Sequence, residues 1–261
     1  MPKLQPPTHL PHREADVSPD EWALRVNLAA SCRLIAHYEW DELVQNHASA
    51  RLQEDRGFLI NPFGVHYFEI NASSLVRITA EGRPAADSPY DVNPAALATH
   101  REIYRARRDV GCILHTHTIP GIAVATQPEG LLPLTQTALF FFRDNLRYHS
   151  YDGVAVTEPE GRSIANDLGQ AQALLLRNHG LIVAEPTIPH AFTTLFYLER
   201  ACALQLALQS SGTKVVPLEP TLQRLVRNQL EAYPAEYRLS GVMEWPGLLR
   251  LLDRKDSSFR H

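Results

Sequence analysis

The sequence predicts a single α/β domain built around a mixed β-sheet. Segments with helical periodicity alternate with short strand-like segments, in the order helix, small sheet, helix, strand, helices, strand, long helix. The length of 261 residues lies within the usual range of single α/β domains. Hydrophobic residues make up 44% of the chain and charged residues 21%, an ordinary globular composition that can fill a sizeable core.

The first half of the chain predicts one helix followed by three short strands. Ser18 can cap the helix, Pro19 suits its first turn, and Glu21 completes an S-x-x-E capping box. The segments NHASARL, GFLI and LVRIT are short and are separated by glycine and proline, which is typical of strands. We therefore expect a small sheet directly after the first helix.

The second half predicts helices around two further strands. Asn93 caps a helix over NPAALATHREIYRARRD, and the strand VGCILHTH follows it. IPGIAVAT, LTQTALFFF and residues 163–169 are expected to be helical, whereas ALLLRNHG predicts a strand that stops at Gly180. A long helix begins near Pro186 and ends at Gly212, and after Pro217 and Pro220 a helical tail runs to the C-terminus.

This organisation divides the chain into three parts. Residues 1–17 contain four prolines and no apolar signal-peptide core, so we expect a flexible N-terminal arm. Residues 18–216 form the α/β domain, and 217–261 form a helical C-terminal extension packed on the same domain.

Charge and cysteine usage limit the class of protein. The net charge of −4 gives no basis for binding nucleic acid or an anionic membrane surface, and no run approaches the ~20 apolar residues of a membrane span. Cys32, Cys112 and Cys202 lie far apart in apolar surroundings and predict buried, reduced thiols. These features favour a cytoplasmic protein without a nucleic-acid or membrane partner.

Two histidines end the strand VGCILHTH. Residues two apart on a strand share a face, so His115 and His117 project together. The pair is compatible with a metal site and also with two hydrogen-bonded histidines at a strand terminus. His179 ends a second apolar strand, and if the two strands are neighbours the three imidazoles can meet. Three imidazoles with open coordination positions are typical of catalytic zinc sites, although they also suit iron, copper, cobalt and nickel.

The remaining histidines give weaker signals. His37, His47, His66 and His190 lie in regular elements or loops without an evident paired partner. His100 precedes the HTH strand on a helix, and we interpret it as a core hydrogen-bonding residue rather than a ligand.

With these motifs in hand, the chain resembles the class II aldolase and adducin family. The markers are NHASARL, FLINPFG, EINASSLVRI, IYRARRDV, HTHT and LLLRNHGLI, which occur in order over residues 22–220. The resemblance implies a three-layer α/β/α sandwich and a four-fold homotetramer. It also implies a divalent metal on His115, His117 and His179, usually Zn²⁺, with Fe²⁺, Mn²⁺ or Co²⁺ as other possibilities. In such aldolases the metal polarises a carbonyl and stabilises an enediolate.

The chain departs from the aldolase pattern outside the histidines. The proton-transferring glutamate of the family stands nineteen residues before the first histidine, and counting back from His115 gives Ala96. The phosphate-holding serines correspond to 94–95 (Pro-Ala), and the Gly-Asn segment to 45–46 (Gln-Asn). A catalytic tyrosine corresponds to Gln136, which cannot act as an acid near neutral pH.

Three functions therefore remain open. The first is a metal-dependent lyase acting on a small carbonyl or hydroxy-acid substrate, with its catalytic acid or base unassigned. The second is a non-heme Fe(II) oxygenase on the same scaffold, and the third is a non-catalytic, adducin-like assembly module, for which actin binding is not expected. Glu69, Glu102 and Glu185 are carboxylates near the motifs, and each is expected to be structural or solvated.

Overall fold

A mixed seven-stranded sheet lies at the centre of the molecule. The computed structural model describes residues 17–85, 88–142, 144–234 and 239–261. The strands, in chain order, are β1 (His47–Arg51), β2 (Phe58–Ile60), β3 (Val76–Ile78), β4 (Cys112–Thr116), β5 (Leu146–His149), β6 (Ala173–Leu176) and β7 (Gly180–Glu185). Their spatial order is β3-β2-β1-β4-β7-β6-β5, with β5 and β6 parallel and all other neighbours antiparallel.

Helices cover both faces of this sheet and confirm the predicted three-layer α/β/α sandwich. The helices are α1 (Pro19–His37), α2 (Pro94–Ala106), α3 (Ile119–Thr126), α4 (Gln136–Leu139), α5 (Glu158–Leu168), α6 (Ile188–Ser210), α7 (Pro220–Ala232) and α8 (Trp245–Lys255). Helices α2 and α5 pack together on one face, while α1, α3 and α6 cover the other. A single apolar core fills the space between these layers.

The start of α1 differs from the predicted capping box. Ser18 caps the helix by accepting the backbone N–H of Glu21 at 3.3 Å. The Glu21 side chain does not return to the cap. It forms a buried ion pair with Arg25 at 3.0 Å, because the two charges lie one turn apart on the face that packs against the core.

Two strands were missed by the sequence prediction. ALLLRNHG is not one strand that stops at Gly180, because β6 ends at Leu176 and Gly180 begins β7. The condition that the two histidine-bearing strands be neighbours is met only through β7, which follows His179 and lies between β4 and β6. Strand β5 was not predicted at all.

Helix boundaries also differ in detail. Helix α4 covers four residues of LTQTALFFF, α5 begins at Glu158 rather than at Ser163, and α6 ends at Ser210 rather than at Gly212. The Asn93 cap of α2 is confirmed by a 3.0 Å hydrogen bond from the Ala95 N–H to the Asn93 side chain.

The C-terminal segment returns to the first helix. Arg33 of α1 donates to Asp256 at 3.1 Å, and Phe259 in the final 3₁₀ turn is fully buried. The predicted N-terminal arm falls almost wholly on residues 1–16, which lie outside the described residues. The three cysteines are buried free thiols, as expected. In the described part of the chain, no helix combines the length and apolar character needed to cross a membrane.

Candidate metal centre

The three predicted histidines come together at the end of β4. The Nε2 atom of His117 lies 2.7 Å from Nε2 of His115 and 3.0 Å from Nε2 of His179. His115 and His117 share a face, as the alternation of a strand requires. His179 lies in the turn between β6 and β7, and β7 pairs directly with β4, so the turn delivers its imidazole to the same place.

The far nitrogens of two of these rings are held by hydrogen bonds. Nδ1 of His115 lies 2.7 Å from the Leu181 carbonyl oxygen, and Nδ1 of His117 lies 2.7 Å from a carboxylate oxygen of Glu42. Both partners are hydrogen-bond acceptors, so each imidazole donates from Nδ1 and directs its Nε2 into the cluster. Such outer partners are how proteins orient metal-binding histidines.

The turn that carries His179 requires a glycine directly after it. A Cβ on Gly180 would lie 2.4 Å from the Thr116 carbonyl oxygen and 2.9 Å from Cδ2 of His117. Asn178, one residue before His179, has a φ of 60°, a conformation that asparagine adopts more readily than most residues. The close approach of the two chain segments is therefore built into the residues on either side of His179.

A buried carboxylate fixes the strand end from the opposite side. Glu199 of α6 accepts hydrogen bonds from Thr116 Oγ1 at 3.0 Å and from Thr118 Oγ1 at 2.6 Å, on either side of His117. Burial raises the pKa of Glu199 to about 7, and the two threonine hydrogen bonds partly offset this effect. The alternating threonines of HTHT thus anchor the segment while the histidines face the cluster.

The donor set fits a divalent metal with nitrogen ligands. Zn–N bonds of about 2.0–2.1 Å in a tetrahedral site place ligand nitrogens about 3.3 Å apart, a few tenths of an ångström beyond the separations seen here. Burial lowers the pKa of His179 to about 4 and that of His115 well below its usual value, so both imidazoles are neutral and able to coordinate. Three protein ligands also leave room for a further one.

The expectation that His47 has no paired partner is wrong, whereas the expectation that His100 is a core hydrogen-bonding residue is confirmed. His47 has two histidine neighbours, with its ring centroid 4.4 Å from that of His115 and its Nδ1 2.7 Å from Nε2 of His100. His100 is fully buried and hydrogen-bonded, as predicted for a core residue, and it lies outside the three-histidine cluster. Register explains the error, because β1 places His47 directly opposite His115.

None of the three carboxylates considered from the sequence lies in the cluster. Glu102 is buried and bonds to Arg101 and Arg105 at 3.3 Å, Glu185 is buried beside Thr194, and Glu69 is exposed. All three have the structural or solvated character that we expected. The carboxylate that does contact the cluster is Glu42, in the loop before β1, which no motif or spacing had indicated.

Comparison with known proteins identifies the family. Residues 26–206 match the protein family described as the Class II Aldolase and Adducin N-terminal domain. The chain belongs to this family. An aldolase class 2 protein of Pseudomonas aeruginosa is 42% identical over 248 residues, which cover 95% of each chain. Alpha-adducin of Rattus norvegicus is 35% identical over 247 residues, which are 89% of this chain and 33% of that protein.

A solved member of the family has the same architecture. The crystal structure of an aldolase II superfamily protein from Pseudomonas syringae is 37% identical, with a TM-score of 0.88 over 95% of this chain and 98% of that one. In this class II aldolase-like fold, Ala96 is buried in the first turn of α2 and offers no proton-transferring group.

Proposed function

We propose that this protein is a metal-dependent lyase of the aldolase type that acts on a small hydroxy-carbonyl or hydroxy-acid substrate. The observation that carries the proposal is the convergence of three Nε2 atoms, on His115, His117 and His179, within 3.0 Å of the central one. Zn²⁺ is the proposed metal, and Fe²⁺, Mn²⁺ and Co²⁺ are ions that the same donors accept. A cytoplasmic homotetramer is the proposed form of the protein.

The bound metal would supply Lewis acidity that polarises a substrate carbonyl. The protein's own residues keep the three imidazoles in the orientation that the metal requires. The Leu181 carbonyl and the Glu42 carboxylate keep two imidazoles in the Nδ1–H tautomer, and Glu199 keeps the HTHT segment in place. The apolar Ala96 means that proton transfer depends on a group other than the family's glutamate.

Proton exchange tests this function without knowledge of the natural substrate. An enzyme that polarises a carbonyl and removes an α-proton should exchange that proton with solvent. We expect the zinc-loaded protein to catalyse deuterium incorporation from D₂O into dihydroxyacetone, hydroxyacetone or pyruvate, followed by ¹H NMR. The zinc-treated His179→Ala variant should be at least ten-fold slower. Zinc-loaded protein with no exchange in any of the three ketones would count against a lyase.

The second candidate is an adducin-like assembly module without catalytic activity. Two observations favour it: the 35% identity to alpha-adducin, and an alanine at the position of the proton-transferring glutamate. This candidate predicts that metal, if bound, stabilises the protein or its oligomer but leaves the ketones unchanged.

A further inference from the structure

A cavity of about 540 Å³ lies beside the N-terminal end of α2. Small-molecule sites in proteins have volumes of about 300–1,000 Å³, and a cavity of about 150 Å³ already holds a benzene molecule. The lining of this cavity includes Phe63, Ser88, Tyr90, Asp91, Val92 and Pro94. The cavity is therefore large enough to take a ring-sized group of a ligand.

Helix α2 connects one wall of this cavity to the candidate metal centre. Pro94 begins the helix, and His100 lies six residues further along it, which is about 9 Å at the rise of an α-helix. Nε2 of His100 lies 2.7 Å from Nδ1 of His47. The ring centroid of His47 in turn lies 4.4 Å from that of His115.

The opposite wall leads to the same end of the sheet. The Phe63 N–H donates to the Asp91 carbonyl oxygen at 2.9 Å, which joins the two walls. Two residues before Phe63, the Asn61 side chain accepts the backbone N–H of Ala48 at 2.8 Å, and Ala48 directly follows His47. The cavity and the three histidines therefore lie at the same end of β1 and β4, with a separation on the order of 10 Å.

The charge around the cavity does not suit an anionic group. Among the described residues that line it there is no lysine, arginine or histidine, whereas Asp91 is acidic. Burial raises the pKa of the Tyr90 phenol, and the negative charge of Glu69 raises it further. A phosphate or carboxylate would therefore meet negative charge and find no cation there.

The first turn of α2 is also closed to anions. Helix N-termini bind phosphate through free backbone N–H groups that point at the ligand. Pro94 has no N–H, and the Ala95 N–H donates to the Asn93 side chain at 3.0 Å. The first two positions of the helix therefore offer no donor to a phosphate.

We propose that this cavity binds an uncharged apolar group of the substrate, such as a phenyl ring or a branched alkyl chain, while the reacting carbonyl lies at the three histidines. The inference rests on the proposed lyase function and names its substrate class. Phe63, Val92 and Pro94 supply apolar surface, and the removal of apolar ligand surface from water favours binding. The separation from the histidines places this group several bonds away from the carbonyl of the substrate.

Three ligands that share one zinc-binding group test the proposal. Acetohydroxamate has no tail, 4-phenylbutyrohydroxamate ends in a phenyl ring, and 4-phosphonobutyrohydroxamate ends in an anionic group on the same linker. In calorimetric titrations of zinc-loaded protein, we expect the phenyl compound to bind at least ten-fold more tightly than acetohydroxamate, and the phosphonate no more than three-fold more tightly. Equal affinities for the phenyl compound and acetohydroxamate, or tightest binding of the phosphonate, would overturn the inference.

A pair of valine variants locates the binding of the phenyl group. Val92→Asp places a carboxylate in the cavity, whereas Val216→Asp is the matched control at a valine that is 85% exposed and outside the lining. We expect Val92→Asp to weaken binding of the phenyl compound at least ten-fold and to leave acetohydroxamate affinity and zinc content unchanged. Val216→Asp should change none of the three quantities.

Two results of this comparison would overturn the inference. The first is equal affinity of both variants for the phenyl compound. The second is a change in oligomeric state confined to Val92→Asp, measured by analytical ultracentrifugation, because the cavity would then face a second copy of this chain.

The metal-free protein separates this inference from the proposed function. The probe is 3-phenylpropan-1-ol, which carries the phenyl group without the zinc-binding group. In ¹³C-methyl spectra of valine-labelled protein, assigned with Val92→Ala and Val216→Ala, we expect the probe to shift the Val92 signals and not those of Val216. Unshifted Val92 signals in a protein that exchanges ketone protons would overturn this inference alone. Shifted Val92 signals in a zinc-loaded protein that exchanges no ketone protons would support the apolar site and contradict the lyase.

Discussion

At the scale of single residues, the centre depends on which nitrogen of each imidazole is already occupied. Leu181 and Glu42 hold Nδ1 of His115 and His117 by hydrogen bonds, so the Nε2 atoms of both rings face the cluster. The strand alternation of His115 and His117 could be predicted from sequence. The hydrogen bond from His117 to Glu42 and the position of His47 beside His115 could not be predicted. They depend on the fold of a loop and on the register between β1 and β4.

A second residue-scale consequence concerns Glu185, a buried carboxyl at the end of β7. Burial raises its pKa to about 7, and the hydrogen bond from Thr194 at 2.8 Å partly offsets this. The folded protein thus holds this proton more tightly than the unfolded chain. The contribution of Glu185 to stability is therefore largest at low pH and is lost as the pH rises through 7.

We predict that Glu185→Gln removes this pH dependence. Between pH 5.5 and 8, the free energy of unfolding of the wild type should fall by about 2 kcal/mol relative to the variant. Urea denaturation at several pH values measures the difference, and Glu199, which is present in both proteins, cancels. Parallel stability profiles for the two proteins would show that Glu185 does not titrate in this range.

At the scale of elements, the turn between β6 and β7 determines whether His179 reaches the other two histidines. ALLLRNHGLIVAE is apolar on both sides of RNH, and its periodicity does not distinguish a strand ending at His179 from two strands joined there. The helices were easier to predict, because Ser18 and Asn93 mark their starts by capping chemistry. Strand β5 is only four residues long and is half exposed, so it left little pattern to detect.

The close approach at Gly180 predicts a strong effect of one methyl group. Gly180→Ala should destabilise the protein by about 1–3 kcal/mol, because the new Cβ would collide with the Thr116 backbone. Zinc content should also fall, since the collision displaces His179 from His117. Thermal unfolding and elemental analysis measure both effects.

Gly247 provides the matched control for this substitution. It lies in the first turn of α8, and among the described residues beyond the nearby helix backbone its Cβ would meet the Arg250 guanidinium alone, at 3.8 Å. Gly247→Ala should leave zinc content unchanged and stabilise the helix by up to about 1 kcal/mol. Equally small effects of the two substitutions on stability and on zinc content would contradict the proposed steric constraint at the turn.

At the scale of the whole molecule, one apolar core fills the space between the sheet and the helices. The sheet is buried between two helical layers, and the three histidines sit at the end of its central strand β4. The family resemblance supplied the three-layer architecture correctly, while the strand order depended on the unpredicted β5 and β7. The core is built from apolar side chains, so we expect metal binding to raise stability without being required for folding.

We predict a moderate effect of chelation on the intact protein. A metal present at 100 times its Kd raises the free energy of unfolding of the protein by about 2.7 kcal/mol. For a chain of this size this corresponds to an increase of about 5–10 °C in Tm. Treatment with EDTA should lower Tm by this amount and leave the circular dichroism spectrum at 25 °C unchanged. The His179→Ala variant should show no such shift. Unfolding at 25 °C on chelation would instead indicate a structural metal.

The metal content of the purified protein tests the central claim most directly. Untagged wild type, the His115→Ala/His117→Ala double variant and the His100→Ala control would be incubated with divalent metals, dialysed and analysed for metal content. We predict one zinc per chain in the wild type and in His100→Ala, and none in the double variant. No stoichiometric metal in the wild type, or equal metal in all three proteins, would contradict the assignment of the three histidines.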